Sequence, residues 1–201
     1  MNTVLILYPE IFKSKSKFDR KISNILKNLQ SFKVVYLNDA NGFISELPET
    51  HNQIESIVRI DSVESSDATH AIIFDDGEVF SNEIKNLKES GIAVRKLKID
   101  ITRVINIKVD KDYATEKSTP GYEYIGRGSY WGNPYSMFEE GESRDEVIRK
   151  YKYDFEFEKF PNKEKSEVFK LTGKRLGCFC KPEACHGDVL ADFLNAFDDG
   201  L

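Results

Sequence analysis

Cysteine, histidine and tryptophan are scarce in this chain: three, three and one among 201 residues. All three cysteines fall within Cys178–Cys185, and an odd number so tightly grouped makes a poor disulfide framework. A reducing compartment, the cytosol by default, is the expectation. Positive charge in excess is also missing. The formal charge of −5 argues against a general affinity for nucleic acid or anionic membranes. No apolar run is long enough to span a membrane, and Met1–Tyr8 has neither a basic leader nor a cleavage site. Repeats and low-complexity tracts are absent. What is present is an ordinary globular composition, 40% hydrophobic, 12% aromatic and 31% charged, on a chain long enough for one large or two small domains.

Apolar periodicity organises the first half. Val4–Tyr8 is a continuous apolar run of the buried-strand type, and Phe18, Ile22, Ile25, Leu26 and Leu29 recur at helical spacing. Val34–Leu37 predicts a second strand and Ala68–Phe74 a third, with a helix suggested between them by Ile54, Ile57 and Val58. Ser81–Glu89 predicts a helix stopped by Gly91, and Ile92–Leu97 a fourth strand. This alternation implies an α/β fold: a Rossmann-like, mainly parallel sheet with flanking helices over 1–98. Ligands in such sheets sit beyond the carboxyl ends of the strands, here Pro9-Glu10, Asn38-Asp39 and Asp75-Asp76-Gly77. The run from Asp67 to Gly77, the helix after it and Gly91-Ile92-Ala93-Val94 resemble the SLOG group of Rossmann-like nucleotide-ligand proteins. That resemblance implies a phosphate- or sugar-binding turn after the strand. The chain departs from it there, with Glu78-Val79-Phe80-Ser81 in place of a small, Gly/Thr-rich turn.

Residues 99–121 predict a connecting strand through Ile101, Val104, Ile105, Ile107 and Val109, then a polar linker. A smaller α/β unit follows over 122–201. In it, Ser143-Arg144-Asp145-Glu146 is a capping box opening a helix, Arg175–Cys180 a strand, and Val189, Leu190, Phe193, Leu194 and Phe197 a final helix.

Two segments of this unit concentrate special chemistry. In Gly173–Leu190, Cys178 and Cys180 share one face of the strand, Pro182 ends it, and Asp188 is a candidate N-cap of the last helix. A helix N-terminus beside Lys181 favours a phosphate. For the thiols three readings stand side by side. Cys178, Cys180, Cys185 and His186 are a zinc set of unfamiliar spacing; or Cys180 or Cys185 is a nucleophile; or the thiols only shape a wall while His186 and Asp188 do the polar work. In Tyr124–Tyr135, the glycines allow close backbone approach and Arg127 can clamp phosphate. Trp131, Tyr130 or Tyr135 can stack on a base or sugar face, and Asn133 before Pro134 can present a fixed amide edge; a structural loop with Trp131 as core anchor and Asn-Pro as turn is the other reading. His51 and His70 lack any such context, and His70 reads as structural.

The stretches GRGSYWGNPY and GKRLGCFCKPEACHGDVL closely resemble domain of unknown function 4326, found in bacteria and their viruses. The resemblance covers about residues 122–197. It carries onto Gly126, Arg127, Trp131, Gly132, Asn133 and Pro134, and onto Cys178, Cys180, Lys181, Pro182, Cys185, His186, Gly187 and Asp188. Tyr135 stands where that family often has Phe. The resemblance implies an α/β unit with a common pocket and names no reaction.

Together these features predict an enzyme that binds a nucleotide or nucleotide-sugar and performs glycosyl or pentosyl transfer, or glycosidic hydrolysis. Asp188 and His186 are the expected acid–base pair, and Gly126, Arg127, Tyr130, Trp131, Asn133, Lys181, Cys180, Cys185 and Gly187 the expected ligand contacts. Seven Lys/Arg against two Glu over 159–181 leave room for a DNA base as acceptor. The alternatives are a non-catalytic sensor of a nucleotide-derived ligand, and a small zinc-stabilised interaction module. The expected setting is bacterial or phage-infected host cytosol.

Overall fold

A computed structural model describes residues 2–113, 115, 117–138 and 141–200. The chain divides into two compact units, Met1–Ile99 with Ala196–Leu201, and Asp100–Asn195.

The first unit is Rossmann-like. Its strands are β1 (Asn2–Leu7), β2 (Phe32–Tyr36), β3 (Ile54–Arg59), β4 (His70–Asp75) and β5 (Ala93–Lys98), and its helices α1 (Lys15–Leu26) and α2 (Ser81–Glu89). The sheet runs β3-β2-β1-β4-β5 with every pair parallel. β1 lies at the centre, which explains its unbroken apolar sequence: Val4, Leu5, Ile6 and Leu7 are buried together because both faces are covered. Phe18, Ile22 and Leu26 bury one stripe of α1; Ile84 and Leu87 do the same for α2, whose C-cap Ser90 is followed by Gly91 with φ +72°.

The helix expected at Ile54–Val58 is instead the edge strand β3. Its register against β2 shifts between Phe32, opposite Ile54, and Lys33, opposite Ser56. The irregularity puts Ile54 and Ile57 opposite Phe32 and Val34, residues two apart on one face of β2. A bulge therefore converts a period of two into an apparent period of three.

Sheet order reverses between β1 and β4, the place where such folds leave a ligand crevice. Aromatic rings pack there. Phe12 stacks on Phe74 with centroids 5.2 Å apart, Phe18 on Phe74 at 5.0 Å, and Tyr8 on Phe43 at 5.3 Å. The Tyr8 hydroxyl donates to Asp39 Oδ1 at 2.6 Å, and Asp39 also accepts from the amides of Ile44 and Ser45. His51, unassigned by sequence, is buried and bridges Ser23 and the Leu47 carbonyl.

The second unit holds β6 (Arg103–Asn106), β7 (Ser118–Thr119), β8 (Tyr122–Tyr124), α3 (Arg144–Glu156), β9 (Arg175–Cys178) and α4 (His186–Ala196). Its sheet runs β6-β9-β8-β7, parallel except for the β7–β8 hairpin. The stretch read as a connector thus supplies both edge strands, because β6 finds a parallel partner in β9 some 70 positions away and Val104 packs on the core (Ala114 and Glu116 lie outside the described residues). The last residues return to the first unit, where Asp199 pairs with Lys17 at 2.6 Å and Asp198 with Arg20 at 2.7 Å.

Candidate functional site

Three segments of the second unit converge on one cavity of about 410 Å³: the loop after β8, the start of α3, and the turn from β9 into α4. Its walls include Gly126, Arg127, Asn133, Tyr135, Arg144, Phe179 and the thiols Cys178, Cys180 and Cys185, with His186 beside them.

The turn is built by local rules. β9 ends at Cys178, and strand alternation leaves Cys178 and Cys180 on the same side with their sulfurs 3.5 Å apart. Cys185 precedes the first residue of α4. Asp188, at the third helical position, accepts from the Cys185 amide at 2.9 Å, and its other oxygen pairs with Lys181 at 2.6 Å. Asp188 is therefore not the N-cap expected from sequence but the carboxylate that reaches back to it.

Burial shapes the buried groups. His186 Nε2 lies 2.9 Å from the Ile125 carbonyl, which can only accept, so that nitrogen carries the proton. Burial holds the imidazole below its ordinary pKa, leaving Nδ1 bare, 3.7 Å from Cys185 Sγ. Among the thiols, a hydrogen bond from Cys185 lowers Cys178 to about 5, and giving that hydrogen raises Cys185. Burial also raises Cys180.

The expected residues sort into three groups. Gly126, Arg127, Asn133, Cys180, Cys185 and His186 line the cavity. Of these, Asn133 has both amide edges occupied, Oδ1 by the Tyr135 amide and Nδ2 by the Val147 carbonyl, so it ties its loop to α3. Tyr130, Trp131, Lys181, Gly187 and Asp188 are not among the lining residues. Trp131 is buried in the core and its carbonyl accepts from Tyr151, while the Tyr130 hydroxyl bonds Glu167. The amide of Gly187 points at Cys185 Sγ, and a Cβ there would strike Ile125, so close packing explains this glycine. Gly132 is similar: a Cβ would meet the Gly126 carbonyl oxygen at 2.6 Å.

Sequence reasoning missed Arg144, which lines the cavity and donates to the Ala184 carbonyl at 3.1 Å. Its one signal was the capping box, confirmed by Ser143 Oγ accepting from the Glu146 amide, which puts Arg144 at the first helical position. The basic run is partly occupied within the unit. Lys163 and Lys165 lie over aromatic rings, Lys170 pairs with Glu167 and Lys174 with Glu123.

Residues 1–105 match the family model described as the minimal SLOG domain. The chain belongs to that family. In the SLOG unit the crevice at the sheet's reversal point is the one packed with Tyr8, Phe12, Phe43 and Phe74. Residues 105–196 match the model described as a domain of unknown function, DUF4326. An uncharacterized 12.4 kDa protein in the nrdA-td intergenic region of Enterobacteria phage T4 is 40% identical over 73 residues. That match covers 35% of this chain and 65% of the phage protein. No solved structure matches. A SLOG-type assignment puts the chain in a nucleotide-ligand-binding class, and among the described residues no helix is long and apolar enough to cross a membrane.

Proposed function

We propose that the cavity of the second unit binds a nucleotide-derived anion, a nucleotide or nucleotide-sugar. One observation carries this reading: two arginines line it, and among the described residues neither has a carboxylate partner. Arg127 reaches Ser136 Oγ, at 3.4 Å, and Arg144 the Ala184 carbonyl, at 3.1 Å. A guanidinium fork left with weak partners beside an apolar wall suits phosphate bidentately. Tyr135, Phe138 and Phe179 supply ring surface for a base or sugar. The anion is thus assigned to the arginines and not to Lys181 and the helix N-terminus, whose charges and amides already serve Asp188 and Cys185.

Binding without turnover, as in a sensor, is the use this geometry favours. The described lining residues include no carboxylate, and Asp188 is engaged in capping α4. Glycosyl or pentosyl transfer, or hydrolysis of a glycosidic bond, is the second reading. Its support is the bare Nδ1 of His186 on the cavity wall. A DNA base as acceptor fits less well, because the internal pairing of Lys163, Lys165, Lys170 and Lys174 reduces the surface left for a backbone.

Calorimetric titration of the full chain with nucleoside mono- and diphosphates, nucleotide-sugars and NAD tests both readings. We expect saturable binding by at least one. Arg127→Ala and Arg144→Ala should each weaken it roughly tenfold to a hundredfold, the loss of a charge-assisted hydrogen bond of about 1.5–3 kcal/mol. Ligand recovered intact supports the sensor and ligand cleaved or transferred supports the enzyme. Absence of binding across the panel would refute both.

A further inference from the structure

The three sulfurs make a second kind of site. Cys178, Cys180 and Cys185 come from the end of β9, the turn after it and the cap of α4, and their sulfurs all lie within 4.8 Å of one another. None is in a disulfide. Three thiolates on a tetrahedral zinc, with bonds of about 2.3 Å, sit about 3.8 Å apart. The pair Cys178–Cys180 is already at 3.5 Å, so small rotations about side-chain bonds suffice.

A donor aimed at a sulfur gives independent support. The Gly187 amide donates to Cys185 Sγ at 3.4 Å, and Arg144 lines the same cavity as the three thiols. Such contacts are what hold and orient metal-bound thiolates. A trio of neutral thiols has little use for a backbone N–H aimed at one of its sulfurs, whereas a zinc trithiolate carries a net negative charge for that donor, and for the nearby arginines, to meet. His186 is not in the converging set; its Nδ1 lies 3.7 Å from Cys185 Sγ alone. All three cysteines also line the cavity.

We infer that Cys178, Cys180 and Cys185 bind one zinc ion, with a fourth coordination position facing the cavity. Three protein ligands and an open position is the arrangement that lets zinc meet a ligand directly. Soft sulfur donors select zinc over magnesium or calcium. This site stands whether or not the cavity takes a nucleotide.

The test is metal analysis of the full chain, produced in zinc-supplemented medium and purified without chelator. The expected content is about one zinc per chain, falling more than roughly tenfold in Cys178→Ser, Cys180→Ser and Cys185→Ser. Because these variants can fail to fold, the unaltered chain is also stripped and titrated with cobalt(II). Thiolate-to-cobalt charge-transfer bands and the intense visible bands of a tetrahedral ion are expected, saturating at one equivalent and displaced by zinc. Zinc retained by folded His186→Gln supports the open position, and its loss there would overturn that assignment. A folded, unaltered chain that takes up neither zinc nor cobalt sinks the proposal.

Discussion

Tyr151 shows how single residues secure the site. Fully buried in the second unit's core, it packs edge-on to His186 with ring centroids 4.9 Å apart and donates its hydroxyl to the Trp131 carbonyl at 2.9 Å. One side chain thus holds both motifs that the sequence singled out. Tyr151→Phe keeps the ring and orphans a carbonyl in an apolar interior, which costs about 1–3 kcal/mol. Urea unfolding should show a lower midpoint with unchanged slope; an unchanged midpoint would mean the carbonyl finds another donor. At this scale the sequence left Trp131 open between a stacking surface and a core anchor. The structure places it in the core, where Leu176 and Phe160 share its cluster.

Among elements, α4 is where sequence and structure part most instructively. The amphipathic run and the Asp near its start were legible, and a helix is there. What could not be read was the phase: the helix begins two residues before Asp188, so the carboxylate turns back to the Cys185 amide and Lys181. A first-turn carboxylate also meets the positive end of the helix dipole. Asp188→Ala should therefore destabilise the protein by about 0.5–2 kcal/mol and leave ligand affinity within a few-fold. Thermal unfolding and calorimetry measure the two. If stability is untouched while turnover disappears, Asp188 acts in chemistry and the capping account fails. The same limit explains β3, whose bulge mimics a helical period, and β6, whose strand partner is remote in sequence.

The whole molecule carries its acid sensitivity unevenly. In the first unit, burial pushes Asp39 upward, but hydrogen bonds from the Tyr8 hydroxyl and the Ile44 and Ser45 donors outweigh it and leave the carboxyl below its ordinary value. Lys96 lowers Asp75, and Arg20 lowers Asp198 to about 2. A carboxylate with a depressed folded pKa contributes stability that is complete above its ordinary pKa and is lost as pH falls through the folded one. The first unit should thus weaken as pH drops from about 4 toward 2. In the second unit the buried His186 is held below its ordinary pKa, so its contribution is complete above about 6.5 and is lost as pH falls below it. The lowered Glu146 and Glu167 there, like Asp198 in the first unit, belong to surface pairs, where screening makes such effects small. The only tryptophan, Trp131, reports on the second unit. Acid titration should accordingly show Trp131 fluorescence changing at higher pH than the bulk of the far-UV circular dichroism. Asp39→Asn should start less stable at neutral pH and lose less on acidification. Coincident transitions in the unaltered chain would contradict this uneven distribution.

The sequence by itself determined the class of fold, because periodicity is a property of neighbouring residues. A central parallel strand must read as unbroken Val-Leu-Ile-Leu, and an amphipathic helix must repeat its apolar positions, wherever the rest of the chain goes. It also marked the two motifs that meet at the cavity. Only the tertiary structure decided which of their residues face it. Lys181 and Asp188 neutralise each other and Trp131 goes to the core, while Arg144, about forty positions upstream of the turn, arrives on the wall. Those outcomes depend on contacts between residues distant in sequence, and no local spacing encodes them. The three cysteines that are so few in the composition gain their significance the same way: strand alternation explains two of them, and the fold brings in the third.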